Sequence, residues 1–181
     1  FQGLLSMEKI HVIIRFLPII FNQLFKVLTQ NDTDEVTAST TRVLVHILAK
    51  CHEEKLGHCL HSYIKFVFKT EACGFRTVHE ELAKGMTSDL KSNDPSVIRN
   101  ILKFSWFFLE IIVKSMAQHL LDSNKLKLPR PQRFPATFQS RLETLIMTMS
   151  DHIYWKSKEM AEETRSANMA IAAFVKVRSN H

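Results

Sequence analysis

Glycine is scarce in this chain, four residues among 181, and neither an Asn-Gly nor an Asp-Gly pair occurs. Tight β-hairpins rely on such pairs, so their absence points away from a sheet and toward an all-helical protein. Cysteine is equally sparse. Cys51, Cys59 and Cys73 are an odd number with no regular framework, which fits a reduced, intracellular setting and excludes a disulfide scaffold. Long uninterrupted apolar runs are missing as well. The most hydrophobic stretch, Ile10 to Leu28, is broken by Arg15, Pro18, Asn22 and Gln23, so a membrane span is not expected. No signal peptide is visible, and Phe1-Gln2-Gly3 reads as the remnant of a tag-cleavage site.

The chemistry-bearing motifs of enzymes are also lacking. No nucleophile elbow, phosphate loop or metalloprotease helix occurs. Glu53-Glu54 and Glu162-Glu163 are neighbouring carboxylates, but adjacent helical residues point to different sides and read as solvated faces. The segment CHEEKLGHCLH gathers Cys51, His52, His58, Cys59 and His61. These are zinc-ligand types without a Cys-x-x-Cys or His-x3-His spacing, so no metal, no cofactor and no catalytic residue are expected. An extended basic stripe with aromatic platforms is absent too, which argues against nucleic acid.

What remains is a globular composition, 45% hydrophobic and 23% charged. At this length roughly 70% of the unfolded surface can be buried, enough for a core without staples. The net charge of +6 is unevenly placed. Residues 1–90 carry ten basic and ten acidic side chains; between positions 114 and 141 lie Lys114, Lys125, Lys127, Arg130, Arg133 and Arg141 against Asp122 alone.

Helical grammar recurs along the chain. Pro18 suits a first helical turn, with Ile20, Leu24, Val27 and Leu28 on one face. Asn31 and Asp32 break that helix, and Asp32 with Glu35 forms a capping-box pattern for a second. Its apolar side would hold Val36, Thr40, Val43, Ile47, Leu48 and Cys51. HCLHSYIKFVF reads as a short helix, and Thr77 with Glu80 caps one running to about Leu90. Asn93 or Asp94 then caps, with Pro95 in the first turn, a long helix to about Leu121, apolar nearly all round and expected at the centre of the packing. Phe138, Leu142, Leu145, Ile146, Met149 and Ile153 mark another helix; Met160, Thr164, Ala167, Ile171 and Phe174 mark the last. Pairs of apolar helices joined by polar Asn/Asp turns predict a HEAT/armadillo-like stack of antiparallel helices, a helical solenoid segment over residues 4–176. A segment of such a stack is expected to expose an apolar end face and to self-associate through it.

KLPRPQRFP, Lys127 to Pro135, holds three of the five prolines. Pro129, Pro131 and Pro135 never give the Pro-x-x-Pro spacing of a polyproline ligand. They read as a stiff crossover with Pro135 starting the next helix. Lys125, Lys127, Arg130 and Arg133 make it the candidate contact for a protein partner or an anionic lipid.

NKLKLPRPQRFP (Asn124–Pro135), SDHIYWK (Ser150–Lys156) and EETRSAN (Glu162–Asn168) closely resemble a region of the zizimin branch of the dedicator-of-cytokinesis (DOCK) family. The resemblance is specific over about residues 95–176. It implies an internal armadillo-like segment of a very large exchange factor for Rho-family GTPases, between a lipid-binding C2-like region and the C-terminal exchange region. It also implies a cytoplasmic location, with membrane recruitment through other regions. Family members continue after Lys176 with Arg-Cys and Phe-Met-Asp-Arg-Gly-Phe, whereas this chain reads Val177 to His181, which marks 177–181 as a tail outside the pattern. No family catalytic residue falls within the segment, so the implied role is that of a scaffold; a free-standing helical-repeat module that binds a peptide or acidic partner is the rival reading.

Overall fold

The computed structural model describes the backbone of residues 2–70, 76–155 and 161–180, and the side chains of 8–70, 76–153 and 165–177. Cys73, Met160, the Glu162-Glu163 pair and most of the N- and C-terminal residues set apart above therefore lie outside the described side chains. Every element is helical among the described residues: α1 (Gln2–Gln30), α2 (Asp34–Glu53), α3 (Gly57–Ser62) running into a π-helical turn (Tyr63–Val67), α4 (Val78–Leu90), α5 (Pro95–Lys103), α6 (Ser105–Asp122), a 3-10 turn (Arg130–Gln132), α7 (Ala136–Trp155) and α8 (Ala161–Asn180). The chain is an all-α helical stack, as its composition and periodicity predict.

Pro18 lies inside α1 and not at its start. A mid-helix proline costs about 3 kcal/mol, yet the apolar face runs straight through it. Leu17, Phe21, Phe25 and Leu28 are all buried, and Ile10, Ile13 and Ile14 pack against the same core on the N-terminal side. Burying several side chains at about 1.5–3 kcal/mol each outweighs the lost bond. By length and mean hydropathy (1.6) Glu8–Gln30 could cross a membrane, although 22% of that window is buried within the protein. The opposite face, with Val12, Phe16, Ile19, Ile20 and Val27, is between 41% and 54% exposed.

The turn after α1 is organised by Asn31 and Thr33, not by Asp32. The Asn31 amide donates to the Val27 and Leu28 carbonyls (3.0 and 2.8 Å), and its oxygen accepts from the Thr33 N–H (3.1 Å). Thr33 is the N-cap of α2 and accepts from the Val36 N–H. The buried face of α2 also differs from the one read from the sequence, because its packing on α4, α1 and α5 sets which side turns inward. Thr37, Thr40, Thr41, Leu44, Val45, Leu48 and Cys51 point inward, and Val36 and Val43 are exposed.

Thr77 caps α4 and Asp94 caps α5, with Pro95 in its first turn, as the sequence patterns predict. The long helix expected from Pro95 to Leu121 is instead two helices hinged at Phe104, whose φ of −102° and ψ of 15° end α5 and begin α6. The fully buried Ser105 hydroxyl donates to the Leu102 carbonyl (2.7 Å), giving that oxygen a partner at the break. The break lets α5 pack on α2, α4 and α8, and α6 on α4, the π-turn and α8. The middle of the stack thus belongs to α4, which touches α1, α2, α5, α6 and α7. Ring contacts of Phe21 with Tyr63 (4.9 Å) and Phe107 (5.4 Å) join α1, the π-turn and α6 into one core.

Candidate partner-binding surface

The crossover from α6 to α7 is a built structure. α6 ends in a Schellman motif: Asn124 takes a left-handed φ of 56°, its N–H donates to the Leu121 carbonyl, and the Lys125 N–H donates to that of Leu120. Asn tolerates this conformation better than most residues. Beyond the turn, Arg133 folds back, its Nε donating to the Leu128 carbonyl (3.0 Å) and Nη2 to that of Leu126 (2.9 Å). The Gln139 amide reaches from α7 to the Pro131 and Phe134 carbonyls (3.2 and 3.0 Å). Pro135 precedes α7, its carbonyl accepting the first helical bond from the Gln139 N–H.

Phe134 plugs the crossover onto the stack. Its ring stacks on His119 (6.0 Å, 27° between planes) and meets Phe138 (5.4 Å) and His79 (5.7 Å). His79 is buried, with Nδ1 2.9 Å from the Ser115 hydroxyl. Burial, helped by nearby His119, pulls its pKa from 6.5 down to about 3. The ring is therefore neutral near pH 7 and ties α4 to α6 and α7.

The six basic residues that cluster in sequence separate in space. Lys114 caps the π-turn on another side, donating to the Ile64 and Lys65 carbonyls. Arg141 lines a shallow polar groove with Lys84 and Lys91. Arg133 spends hydrogen bonds on the crossover backbone, and Lys125 is half-buried. Lys127 and Arg130 are exposed on the crossover. Charge counting along the chain could not anticipate this division, because it depends on which carbonyls each long side chain can reach.

The sequence also gave no hint of an apolar cavity of about 700 Å³ beside the crossover. Met116 and Leu120 of α6, Phe134 of the crossover, Phe138 and Leu142 of α7, and Phe174 of α8 form its walls, with Arg130 and Arg133 at its edge. Of the Cys51–His61 group, Cys51 is buried, with its thiol raised to about 11 chiefly by burial. The Cys59 sulfur lies 3.3 Å from His58 Nε2. His52 meets the edge of Phe104, and His61 stacks on Trp106 at 4.3 Å. These imidazoles turn toward separate aromatic partners, and no group of three potential ligands assembles among the described residues.

Buried polar groups elsewhere are joined between helices. The Glu81 carboxylate accepts from Thr37 Oγ1 (2.6 Å), Arg76 (3.0 Å) and Lys84 (3.2 Å), and Asp34 adds a second anion for both cations. Asp89 accepts from Arg42 Nε (3.0 Å), but its Oδ2 has no hydrogen-bond partner among the described residues. Burial raises the Asp89 pKa, and Arg42 opposes the shift.

A stack of helices whose ionisable residues brace neighbouring elements defines a helical-repeat body. The family model described as "DOCK6-11, TPR domain" matches residues 2–178, and the chain belongs to this dedicator-of-cytokinesis family. It is 47% identical to dedicator of cytokinesis protein 9 of Mus musculus and 46% to that of Homo sapiens, in both cases over 97% of this chain and 9% of the relative. It is 42% identical to dedicator of cytokinesis protein 11 of Danio rerio, over 91% of this chain and 8% of the relative. The chain thus spans less than a tenth of the length of these curated relatives, proteins 9 and 11 of the zizimin branch. TPR, like HEAT and armadillo, is a stacked helix-pair architecture. No solved structure matches the chain.

Proposed function

We propose that this chain is a non-catalytic scaffold and protein-interaction segment of a large guanine-nucleotide exchange factor for Rho-family GTPases. The observation that carries the reading is the family match along residues 2–178, less than a tenth of the relatives' length, in a body whose buried ionisable groups brace helices. Such a body transmits position. In the parent it would hold a membrane-targeting region and an exchange region in fixed relation, in the cytoplasm, with the GTPase met by the exchange region. The exposed apolar side of α1 is where neighbouring helices of the parent, or a second copy of the isolated segment, would pack.

The test is a nucleotide-release assay with the isolated 181-residue chain and Rho-family GTPases loaded with fluorescent GDP. The expected result is release at the intrinsic rate of each GTPase. Acceleration that depends on chain concentration would overturn the reading.

A further inference from the structure

We propose that the polar groove between α4 and α7 binds a bisphosphorylated sugar or polyol. The proposal goes beyond the scaffold reading and does not depend on it. The groove encloses about 400 Å³, the size of a small-ligand site, and Lys84, Thr87, Lys91, Arg141, Thr144 and Asp34 are among its walls. Two contacts give its direction. The rings of His79 and Phe138 lie 4.8 Å apart near the starts of the two helices, and His152 Nε2 donates to the Leu90 carbonyl (2.7 Å) near their ends. The helices therefore run side by side in the same direction. Lys84 and Arg141 stand at one end of the groove, Thr87 and Thr144 come between, and Lys91 closes the other end. The two lysines are about 10 Å apart along the helix axis.

The order of these walls sets the chemistry of the ligand. Arg141 and Lys91 are exposed and make no ion pair among the described residues, so each end holds a cation without a counter-charge. Lys84 is already engaged, its Nζ 3.2 Å from Glu81 Oε1 and 3.8 Å from Asp34 Oδ1. Asp34 is the one acid among the lining residues, and its side chain is 76% exposed. A phosphate can therefore displace it from Lys84 while pairing with Arg141. The middle of the groove offers acceptors. The Thr87 hydroxyl donates its proton to the Ala83 carbonyl (2.8 Å) and that of Thr144 to the Ser140 carbonyl (3.0 Å). Both oxygens are left to receive hydrogen bonds. A ligand with an anionic group at each end and hydroxyl donors between them matches that order. A singly phosphorylated peptide would fill one end only.

The soluble probes are fructose 1,6-bisphosphate and inositol 1,4-bisphosphate, titrated into the chain by isothermal calorimetry. Vesicles carrying phosphatidylinositol 4-phosphate, whose headgroup has a phosphate on either side of the ring, form a second arm. The expected result is one-to-one binding of at least one soluble bisphosphate. It should be about tenfold tighter than binding of fructose 6-phosphate or of hydroxyl-free hexane-1,6-diyl bisphosphate. Vesicle capture competed by soluble inositol 1,4-bisphosphate would support the proposal with a lipid headgroup as the source; soluble binding without vesicle capture would support it with a free metabolite. Arg141→Ala and Lys91→Ala should each weaken bisphosphate binding about tenfold, to the level of the monophosphate. Asp34→Asn should tighten it, because a competing anion is removed. All three alter exposed side chains, and circular dichroism verifies that they stay folded. No saturable binding of either soluble bisphosphate, equal binding of the monophosphate or the hydroxyl-free probe, tighter binding of a phosphoserine peptide, or indifference to both cation variants would overturn the proposal. The nucleotide-release assay is independent of all these outcomes, so failure here leaves the scaffold reading standing.

Discussion

Glu81 and Asp89 both lie on α4 with no exposed surface, and they are held very differently. Glu81 has three donors from three side chains; Asp89 has one, from an arginine whose side chain is 54% exposed. Neutralising the first should therefore cost more. Glu81→Gln replaces an acceptor oxygen with a donor amide among Arg76, Lys84 and Thr37, at an expected cost of about 2–3 kcal/mol. Asp89→Asn keeps an oxygen for Arg42 and removes a carboxylate already disfavoured by burial, so its cost should stay below about 1 kcal/mol. Urea unfolding of the two variants would expose an error if their order were reversed. His79 sets a pH dependence. Its folded pKa of about 3 lies below the ordinary 6.5, so below pH 6.5 the unfolded chain takes up a proton that the folded chain refuses. Stability should fall as pH drops from about 6.5 toward 3, by about 2 kcal/mol at pH 5 from this residue. The difference in unfolding free energy between pH 7 and pH 5 should shrink by that amount in His79→Gln, and an unchanged difference would contradict the assignment. None of these roles was legible from sequence. Glu81 follows Glu80 in a first helical turn, where acids are common on solvated faces, and only tertiary packing sends it inward.

At the scale of elements, the sequence was readable wherever one local interaction decided the outcome. Thr77 and Asp94 cap their helices because a side-chain oxygen finds an N–H two or three residues on. It was misread where two local rules competed. Asp32 and Thr33 are both good caps, and Thr33 won because Asn31 had already fixed the turn. Pro18 signals a helix start, but a continuous buried face overrode it. The break at Phe104, where the buried Ser105 hydroxyl bonds the Leu102 carbonyl, is not reported by any periodicity. The contact of α2 with α4 was equally hidden. A Cβ on Gly85 would sit 2.0 Å from Thr41 Oγ1 and 2.9 Å from Thr41 Cβ. Gly85→Ala gains helix propensity of about 1 kcal/mol, yet forces the two helices apart, and overpacking of this kind costs about 1–3 kcal/mol or more. The net result should be a lower melting temperature, with Thr41→Ala restoring only part of the loss because the Cβ contact survives. A Gly85→Ala variant as stable as the original would show that α2 and α4 are less closely packed than described.

For the whole molecule, the fold class and the family pattern were legible because both rest on repetition, of helix and turn in one case and of residue strings such as NKLKLPRPQRFP in the other. The surface was not. Six basic residues in a run of sequence become a brace on the π-turn, a groove residue and a stapled crossover, and apolar residues from α6, the crossover, α7 and α8 converge on a cavity. If the segment contributes position and no chemistry, its loss should matter only when position matters. The decisive measurement is fluorescent-GDP release by a full-length relative in which the residues corresponding to 4–176 are replaced with a flexible Gly/Ser linker. It is made once with a soluble Rho-family GTPase and once with that GTPase tethered to anionic vesicles. The scaffold account predicts an unchanged rate in solution and a rate lowered about tenfold on vesicles, where effective concentration depends on geometry. A lowered rate in solution, or an unchanged rate on vesicles, would contradict it.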